Sequence, residues 1–343
     1  MELSEIYRNV DTVLNGIDFA DLFPGFCRYR FALYNEEAVC LDGEMLPWDE
    51  RFRGNTAISY DGEYIAIWNM GIDPIGDTEV LASSLVHEMF HCHQYTLGET
   101  RFPADLRLLQ YPDDIENYER KYHENCLLAD AYEHSDPQAL GAFAALRRLR
   151  FSQYPEMLQE EWKTETCEGM AEYAGLKALE RINAEKFKKK VQSCLQYLRA
   201  ESPLQFDIRR ISYNTGTVFL LCLDRLGLEI KNDMGSTLTV YEQNPVEEVQ
   251  SASEYPCEWM EAAYARLISE RKAKIEEHLA DTSYTECDGE ICGYDPMNMF
   301  RCGDLVYCSH FVMLRINGEM KTFPRRIVLA LRPGSDRTVR GYY

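Results

Sequence analysis

Two histidines four residues apart, with an acid between them, are the feature that most constrains this chain. The stretch reads His87-Glu88-Met89-Phe90-His91. On an α-helix, residues four apart leave the same face, so both imidazoles can converge on one metal ion. Glu88 lies one position aside, near the ion without having to bind it. This HExxH arrangement is typical of zinc sites in which the glutamate takes a proton from a metal-bound water.

The residues before the motif predict a helix that carries it. Asp77 and Thr78 offer an N-cap, and apolar residues then recur at helical spacing, so we predict a helix over 78–97. The competing interpretation is a helix in which His87 and His91 are ordinary core histidines. A third ligand elsewhere in the chain would favour the metal site.

A catalytic zinc ion takes three protein ligands and keeps its fourth position for water. The metzincin pattern, with a third histidine six residues after His91, does not apply, because position 97 is Leu97. His93 points about 160° away from His91 around the helix and cannot join it. The other histidines have no partner at a metal-binding spacing and are predicted to be surface or packing residues: His123, His134, His278 and His310.

Acidic candidates lie at residues 164–173, inside a long predicted helix that contains Glu165, Glu168 and Glu172. With the HExxH, this stretch resembles the gluzincin zinc metallopeptidases, the superfamily of thermolysin and aminopeptidase N. Their second metal-binding helix carries a Glu-Gly pair with an acid four residues later. The resemblance implies that Glu168 is the third ligand and that Glu172 accepts an N–H from a metal-bound imidazole, by position that of His87. Glu165 is the rival ligand, and a solvated acidic face is the other interpretation.

A third element, Tyr213-Asn214-Thr215-Gly216, resembles the Y-x-x-G helix start of aminopeptidase-N-like gluzincins. The resemblance implies that the Tyr213 hydroxyl donates a hydrogen bond to the oxyanion of a tetrahedral intermediate. Because the chain has 22 tyrosines, a tyrosine that simply packs near a helix start is the alternative.

The resemblance covers residues 60–226 and departs from the family in two ways. The first two motifs are separated by 76 residues, 92 through 167, which is far more than in the best known gluzincins. Residues 98–155 are therefore predicted to form a helical insertion beside or over the cleft. The Gly-x-Met-Glu-Asn element, which binds the free amine of the substrate in aminopeptidase-N relatives, has no counterpart. Residues 68–71, Trp-Asn-Met-Gly, occupy its place. Aminopeptidase specificity is therefore not implied.

Patterns along the chain predict an α+β fold, which the resemblance makes zincin-like. Residues 1–280 would form the main domain, β-rich over 1–75 and mainly helical over 76–280, and residues 281–343 a small β-rich unit without visible chemistry. The predicted helices are 78–97, 114–133, 137–151, 156–181, 184–200, 212–226 and 256–280. The predicted strands are 27–34, 57–60, 64–70, 304–315 and 325–331, with hairpin turns at Asp61-Gly62 and Asn317-Gly318.

Composition narrows the partners and the compartment. A net charge of −21 argues against nucleic acid and anionic membrane as partners. The first residues are neither basic nor apolar, and no run of eighteen apolar residues occurs, which predicts a soluble, unexported chain. The twelve cysteines form no CxxC pairs, so we predict reduced thiols and a cytoplasmic location.

These patterns predict a metallopeptidase with one zinc ion that cleaves peptides or proteins. Zinc held by His87, His91 and Glu168 would lower the pKa of a bound water towards about 7. Glu88 would take the proton of that water and pass it to the leaving amine, while Tyr213 stabilises the oxyanion.

The strand 64–70, if it lies at a sheet edge, could pair with an extended peptide.

One alternative is a zinc-binding scaffold without catalysis, to which the acidic insertion and the C-terminal β unit are suited. Another is a zinc amidohydrolase that acts on a non-peptide amide. An intact Glu88 argues against the scaffold, because a structural site has no use for a base beside an open metal position. The sequence carries no signal for an oligomeric state.

Overall fold

The N-terminal part of the computed structural model, which describes residues 2–250 and 255–343, is a helix followed by a five-stranded sheet. Helix α1 spans Leu3–Asn15 and buries Tyr7, Val10 and Leu14 along one face. The strands are β1 (Phe31–Tyr34), β2 (Ala38–Leu41), β3 (Glu44–Pro47), β4 (Thr56–Tyr60) and β5 (Glu63–Asn69). The prediction of a β-rich N-terminal part is confirmed only after α1, which was not predicted.

The order of strands in this sheet is β3-β2-β1-β5-β4. Strands β1 and β5 pair in parallel, and the other neighbours are antiparallel. The hairpin between β4 and β5 turns at Asp61 and Gly62, as predicted, with φ angles of 51° and 87°. Because β5 lies between β1 and β4, it has no free edge, so the condition on which its pairing with a peptide was predicted is not met. The edge on this side of the sheet is β4.

The central region is helical, as predicted. Its helices are α2 (Thr78–Thr96), α3 (Asp105–Leu108), α4 (Ile115–His134), α5 (Pro137–Gln153), α6 (Pro155–Ile182), α7 (Ala184–Leu198), α8 (Ile208–Arg225), α9 (Val240–Gln243) and α10 (Trp259–Asp281). The short helices α3 and α9 were not predicted. Helix α8 begins at Ile208 rather than at residue 212, because Asp207 caps it.

Side-chain caps fix where the main helices begin. Asp77 accepts the backbone N–H groups of Glu79 and Val80, which confirms the predicted start of α2. The starts of α4, α5, α7 and α8 are capped in the same way by Asp114, Asp136, Asn183 and Asp207. Because the Asp77 cap fixes where α2 begins, it also fixes where in the helix the HExxH residues lie.

The C-terminal part is an antiparallel sheet of seven strands. They are β6 (Thr285–Tyr294), β7 (Met299–Cys302), β8 (Leu305–Cys308), β9 (Val312–Ile316), β10 (Glu319–Phe323), β11 (Ile327–Leu331) and β12 (Thr338–Tyr342), in the order β10-β9-β6-β12-β11-β8-β7. The predicted turn at Asn317-Gly318 is present, with both residues at positive φ. The predicted strand 304–315 is two strands, separated by a loop that contains His310.

Helix α6 lies against α2 on one side and α8 on the other, at contacts that only glycine allows. A Cβ on Gly216 of α8 would lie 2.4 Å from the carbonyl oxygen of Glu165. A Cβ on Gly169, which faces Gly216, would lie 2.6 Å from its Cα. At the other contact, a Cβ on Gly175 would lie 2.8 Å from the carbonyl oxygen of Ser83 in α2. These glycines let the three helix backbones approach closely.

The helical insertion packs against α6 through a cluster of buried charges. The members of this buried charge cluster are Lys121, Glu124, Arg147, Arg150, Glu161 and Glu165, each at most 2% exposed. Three positive and three negative groups balance, and each carboxylate meets at least one cation within 3.3 Å. Burying an ion is costly unless it is paired in this way. The insertion therefore holds α6 by mutual pairing of charges.

No helix in the described part of the chain is long and apolar enough to cross a membrane. All twelve cysteines are free thiols. Burial raises the pKa of the Cys126, Cys194 and Cys308 thiols to about 12, so these side chains pack as neutral groups.

We expect Arg150→Met to lower the free energy of unfolding by about 3–5 kcal/mol, because Glu124 and Glu161 would stay buried without their shared guanidinium, 2.8 Å from each. Arg148→Met on the same helix is the control. Arg148 is exposed and pairs with exposed Glu248 at 3.2 Å, so its loss should change stability by less than about 1 kcal/mol. Urea denaturation measures both. Equal stability of the two variants would contradict a structural role for the cluster.

Candidate metal centre

Three helices bring the predicted site residues together. Helix α2 presents His87 and His91 from one face, as the four-residue spacing predicted, with Glu88 beside them. Helix α6 presents Glu168 and α8 presents Tyr213. Residues far apart in the chain thus meet at one place, where the two imidazoles and the Glu168 carboxylate could hold a metal ion.

The distances between the three donor atoms suit zinc. His87 Nε2 and His91 Nε2 are 3.1 Å apart, and Glu168 Oε2 lies 3.6 Å and 3.3 Å from them. Ligand atoms about 2.0–2.1 Å from a tetrahedral zinc ion are about 3.3 Å from one another. Two imidazoles and one carboxylate also form a known catalytic zinc donor set that keeps one position open. The residues present therefore fit this ion.

Each imidazole is oriented by a partner on its other nitrogen. His87 Nδ1 lies 3.1 Å from Glu172 Oε2, which is the pairing that the resemblance implied. His91 Nδ1 lies 2.8 Å from Gln94 Oε1, and the Gln94 amide donates to the carbonyl oxygen of Cys167 at 3.0 Å. With Nδ1 protonated, Nε2 of each ring carries the lone pair that a metal needs.

The carboxylates around the two imidazoles raise the pKa values of His87 and His91. Burial disfavours a charged His87, but hydrogen bonds to Glu168 and Glu172 outweigh burial and raise the His87 pKa well above its usual value. Burial likewise opposes charge on His91, and the Glu168 carboxylate outweighs it and raises the His91 pKa. Burial acts against Glu168 too, yet His91 and His87 hold its pKa well below the usual range. Because a metal binds neutral imidazole, metal binding should release protons and strengthen as pH rises.

Glu88 is buried without a partner. The residue is 7% exposed. Its carboxylate makes no hydrogen bond or ion pair with any residue in 2–250 or 255–343. Burial raises its pKa, although His87 and His91 act in the opposite direction. Glu88 also lines the cleft described below, so its carboxylate has no partner and is open to a ligand.

Tyr213 lies over the same site, but not at a helix start. It falls in the second turn of α8, so that detail of the predicted element is wrong. Its ring is nearly parallel to the ring of His87, with centroids 6.2 Å apart. Burial, and then the Glu168 carboxylate, raise the pKa of Tyr213 well above its usual value, which keeps the hydroxyl protonated and able to donate a hydrogen bond.

Glu165, the rival ligand, belongs to the buried charge cluster instead. Both of its oxygens accept hydrogen bonds from Arg147 at 2.5 Å, and Lys121 lies 3.3 Å away. Glu168 faces α2, whereas the Glu165 carboxylate faces Arg147 of α5 and Lys121 of α4. The three-residue offset turns the two carboxylates about 60° apart around the helix, so only Glu168 reaches the imidazoles.

Two residues at the site were not predicted. Gln94 follows His91 by three residues on the same helix, a spacing at which side chains meet, so this contact had a signal in the sequence. Arg209 donates from Nη2 to Glu168 Oε1 at 3.1 Å, and its Nε lies 3.1 Å from Asp105. No sequence pattern marks Arg209, because its partners come from other parts of the chain.

The candidate metal centre opens into a cleft of about 1190 Å³ that all three parts of the fold line, which we call the metal cleft. The N-terminal sheet contributes Asn35, Gly54, Asn55, Thr56 and Asn69 to this wall. Loops of the C-terminal sheet contribute Tyr294, Asp295, Met297, His310 and Phe311. The C-terminal unit is therefore part of the site region and not a bare appendage. Residues 98–155, which the structure describes in full, contribute nothing to the cleft wall, so the insertion does not lie over it.

The histidines outside the motif pack or lie at the surface, as predicted. His93 is buried near the Tyr29 hydroxyl, 3.5 Å from its Nδ1, away from the metal ligands as predicted. His123 and His278 lie within hydrogen-bond distance of backbone carbonyl groups. His310 is exposed at the surface, as predicted, where it lines the cleft and pairs with Asp295 at 2.7 Å.

Comparison with protein-family models, with curated proteins and with solved structures found no match for this chain. The resemblance to gluzincins therefore depends on the sequence motifs and on the geometry of the site.

We expect His91→Gln to lower zinc affinity by more than the roughly 10- to 100-fold that loss of a ligand's hydrogen-bond partner costs. His93→Gln, two residues further on the same helix, is the control and should bind zinc like the unchanged protein. Elemental analysis gives the zinc content, and chelator competition between pH 6 and pH 8 gives the affinity, which should rise with pH. Zinc retained by the His91 variant but lost by the His93 variant would refute this ligand set.

Proposed function

We propose that this protein is a zinc-dependent metallopeptidase of zincin-like fold that binds one ion. The observation that carries the proposal is the convergence of His87, His91 and Glu168 beside an unpaired Glu88 in an open cleft. Three ligands with one open position are typical of catalytic rather than structural zinc sites. The mixed architecture, with a helical region between two sheets, is compatible with this class.

His87, His91 and Glu168 would hold the ion, and zinc bound there would act as a Lewis acid and acidify a water molecule. Glu172 and Gln94 keep the two imidazoles in the tautomer that presents Nε2. These contacts fix the ligands before substrate arrives, so little reorganisation is needed during the reaction.

Glu88 is the general base of the proposed reaction. It faces the ligand cluster and has no competing partner among the described residues. Its raised pKa suits a carboxylate that accepts a proton from water and then delivers it to the leaving amine. A scaffold protein would gain nothing from an acid without a partner beside the ligands.

Tyr213 would stabilise the transition state. Its hydroxyl stays protonated near neutral pH, and its ring, which lines the cleft, lies parallel to that of His87. A hydrogen bond from this hydroxyl to the oxyanion of the tetrahedral intermediate would strengthen as negative charge develops. Arg209, beside the Tyr213 ring at 5.8 Å, keeps a positive charge next to this position.

A peptide or protein segment in extended form is the substrate that suits this cleft. Asn55 and Thr56, at the start of edge strand β4, line it, so the free edge of β4 is available for backbone pairing with the substrate. His310 and Phe311 would contact the same segment from the C-terminal sheet. The cytoplasmic location and the exclusion of nucleic acid and membrane as partners stay predictions from composition.

We expect Glu88→Gln to keep its zinc and to lose about 10²- to 10⁴-fold in kcat/KM, because the amide cannot accept the proton. Glu79→Gln, an acid at the start of the same helix that pairs with Lys186, is the control and should stay active. Cleavage of a mixed peptide library, followed by mass spectrometry, measures activity. Full activity of the zinc-loaded Glu88 variant would show that Glu88 is not the general base. A zinc-loaded wild type that cleaves no peptide would favour the alternative of a zinc-binding scaffold without catalysis.

Tyr213→Phe should lower kcat by about 10²- to 10³-fold with little change in KM, because its hydroxyl acts on the transition state. Tyr95→Phe, at a half-exposed tyrosine on α2, is the matched control and should have no effect. Steady-state kinetics on one library-derived peptide tests both variants. An unchanged kcat for the Tyr213 variant would reduce this tyrosine to a packing residue.

A further inference from the structure

A second cavity, of about 340 Å³, lies where α3, the start of α8, α10 and β7 meet. Three guanidinium groups line it, those of Arg209, Arg271 and Arg301, and we call it the arginine cavity. It shares only Arg209 and Pro296 with the metal cleft among the described lining residues. The arginine cavity is therefore a separate space next to the metal centre.

The carboxylates around the arginine cavity already have partners. Asp105 lies 3.1 Å from Arg209 Nε. Asp113 accepts a hydrogen bond from the Tyr264 hydroxyl. Asp207 caps α8 through the backbone N–H of Arg210. Each of these acids thus has a partner in the protein, although Asp105 Oδ1 meets Arg209 only as an ion pair and accepts no hydrogen bond from the described residues.

The guanidinium groups, in contrast, keep unused donors. Nη1 of Arg209 and Nη1 of Arg301 are buried and have no hydrogen-bond partner among the described residues. Arg271 makes no hydrogen bond or ion pair with the part of the chain that the structure describes, and its guanidinium lies 5.5 Å from the centre of the Phe300 ring. A buried donor without an acceptor is costly for the fold. An acceptor with several oxygens would relieve this cost.

We propose that the arginine cavity binds a small molecule that carries an oxyanion, either a carboxylate or a phosphate. Guanidinium groups present their N–H donors in a planar fork that matches both groups. The rings of Tyr118, Phe206 and Phe300 form an apolar wall for the rest of such a molecule. The volume lies at the small end of the range of ligand sites. This inference goes beyond the proposed peptidase and does not depend on it.

The test uses the full chain loaded with zinc. Inorganic phosphate and succinate are titrated separately by calorimetry at constant ionic strength, with chloride as the reference anion. At least one of them should bind saturably, at one site per chain, and comparison of the two shows which oxyanion the site prefers. Glu88→Gln should bind the same probe with unchanged affinity, which separates this inference from the fate of the peptidase. No saturable binding of either probe up to about 10 mM would overturn the proposal.

Arg271→Gln is the decisive variant, because Arg271 has no ion-pair partner to leave unpaired and the fold should tolerate its loss. It should weaken binding by about tenfold or more, and Arg301→Gln should do the same. Arg332→Gln, which removes an exposed guanidinium on the C-terminal sheet 2.9 Å from Asp288, is the control and should not change binding. Wild-type affinity in both the Arg271 and Arg301 variants would place the anion elsewhere, such as on the zinc ion, and refute the site.

Discussion

The close approach of α2 and α8 to α6 is the constraint on which the candidate site depends. Gly175 lets α2 pack against one face of α6, and Gly169 meets Gly216 of α8 on another. A methyl group at any of these positions would push two helix backbones apart. Since Glu168 lies between these contacts, the same packing that builds the core also sets the distances from its carboxylate to the imidazoles and to Tyr213.

The fold buries carboxylates in two different ways, and the difference separates architecture from chemistry. Glu161 and Glu165 are fully or almost fully buried, and arginine and lysine side chains neutralise them. Glu88, which is 7% exposed, lines the open cleft and makes no hydrogen bond or ion pair in the described residues. Pairing offsets the cost of burying a charge, so the first two acids stabilise the packing of the insertion. Glu88 contributes no such stabilisation, which is why we assign it a chemical role.

The C-terminal sheet borders both the metal cleft and the arginine cavity. Its loops form one wall of the metal cleft, and β7 together with α10 closes the arginine cavity on the other side of Arg209. Arg209 contacts Glu168, Asp105 and the Tyr213 ring at once. One buried guanidinium therefore joins the helix that completes the metal centre to the cavity beside it, and the charge on a ligand in that cavity would act close to Glu168.

Local patterns in the sequence determined the HExxH face, the caps, the hairpin turns and the extent of the main helices, because these depend on residues within one or two turns of each other. The apolar spacing of Tyr7, Val10 and Leu14 would also have predicted α1. Only the tertiary structure decided between Glu165 and Glu168, placed β5 inside its sheet, and brought the C-terminal loops and Arg209 to the site. Those outcomes depend on contacts between distant segments, and periodicity along a chain says which face of a helix is buried but not which partner covers it.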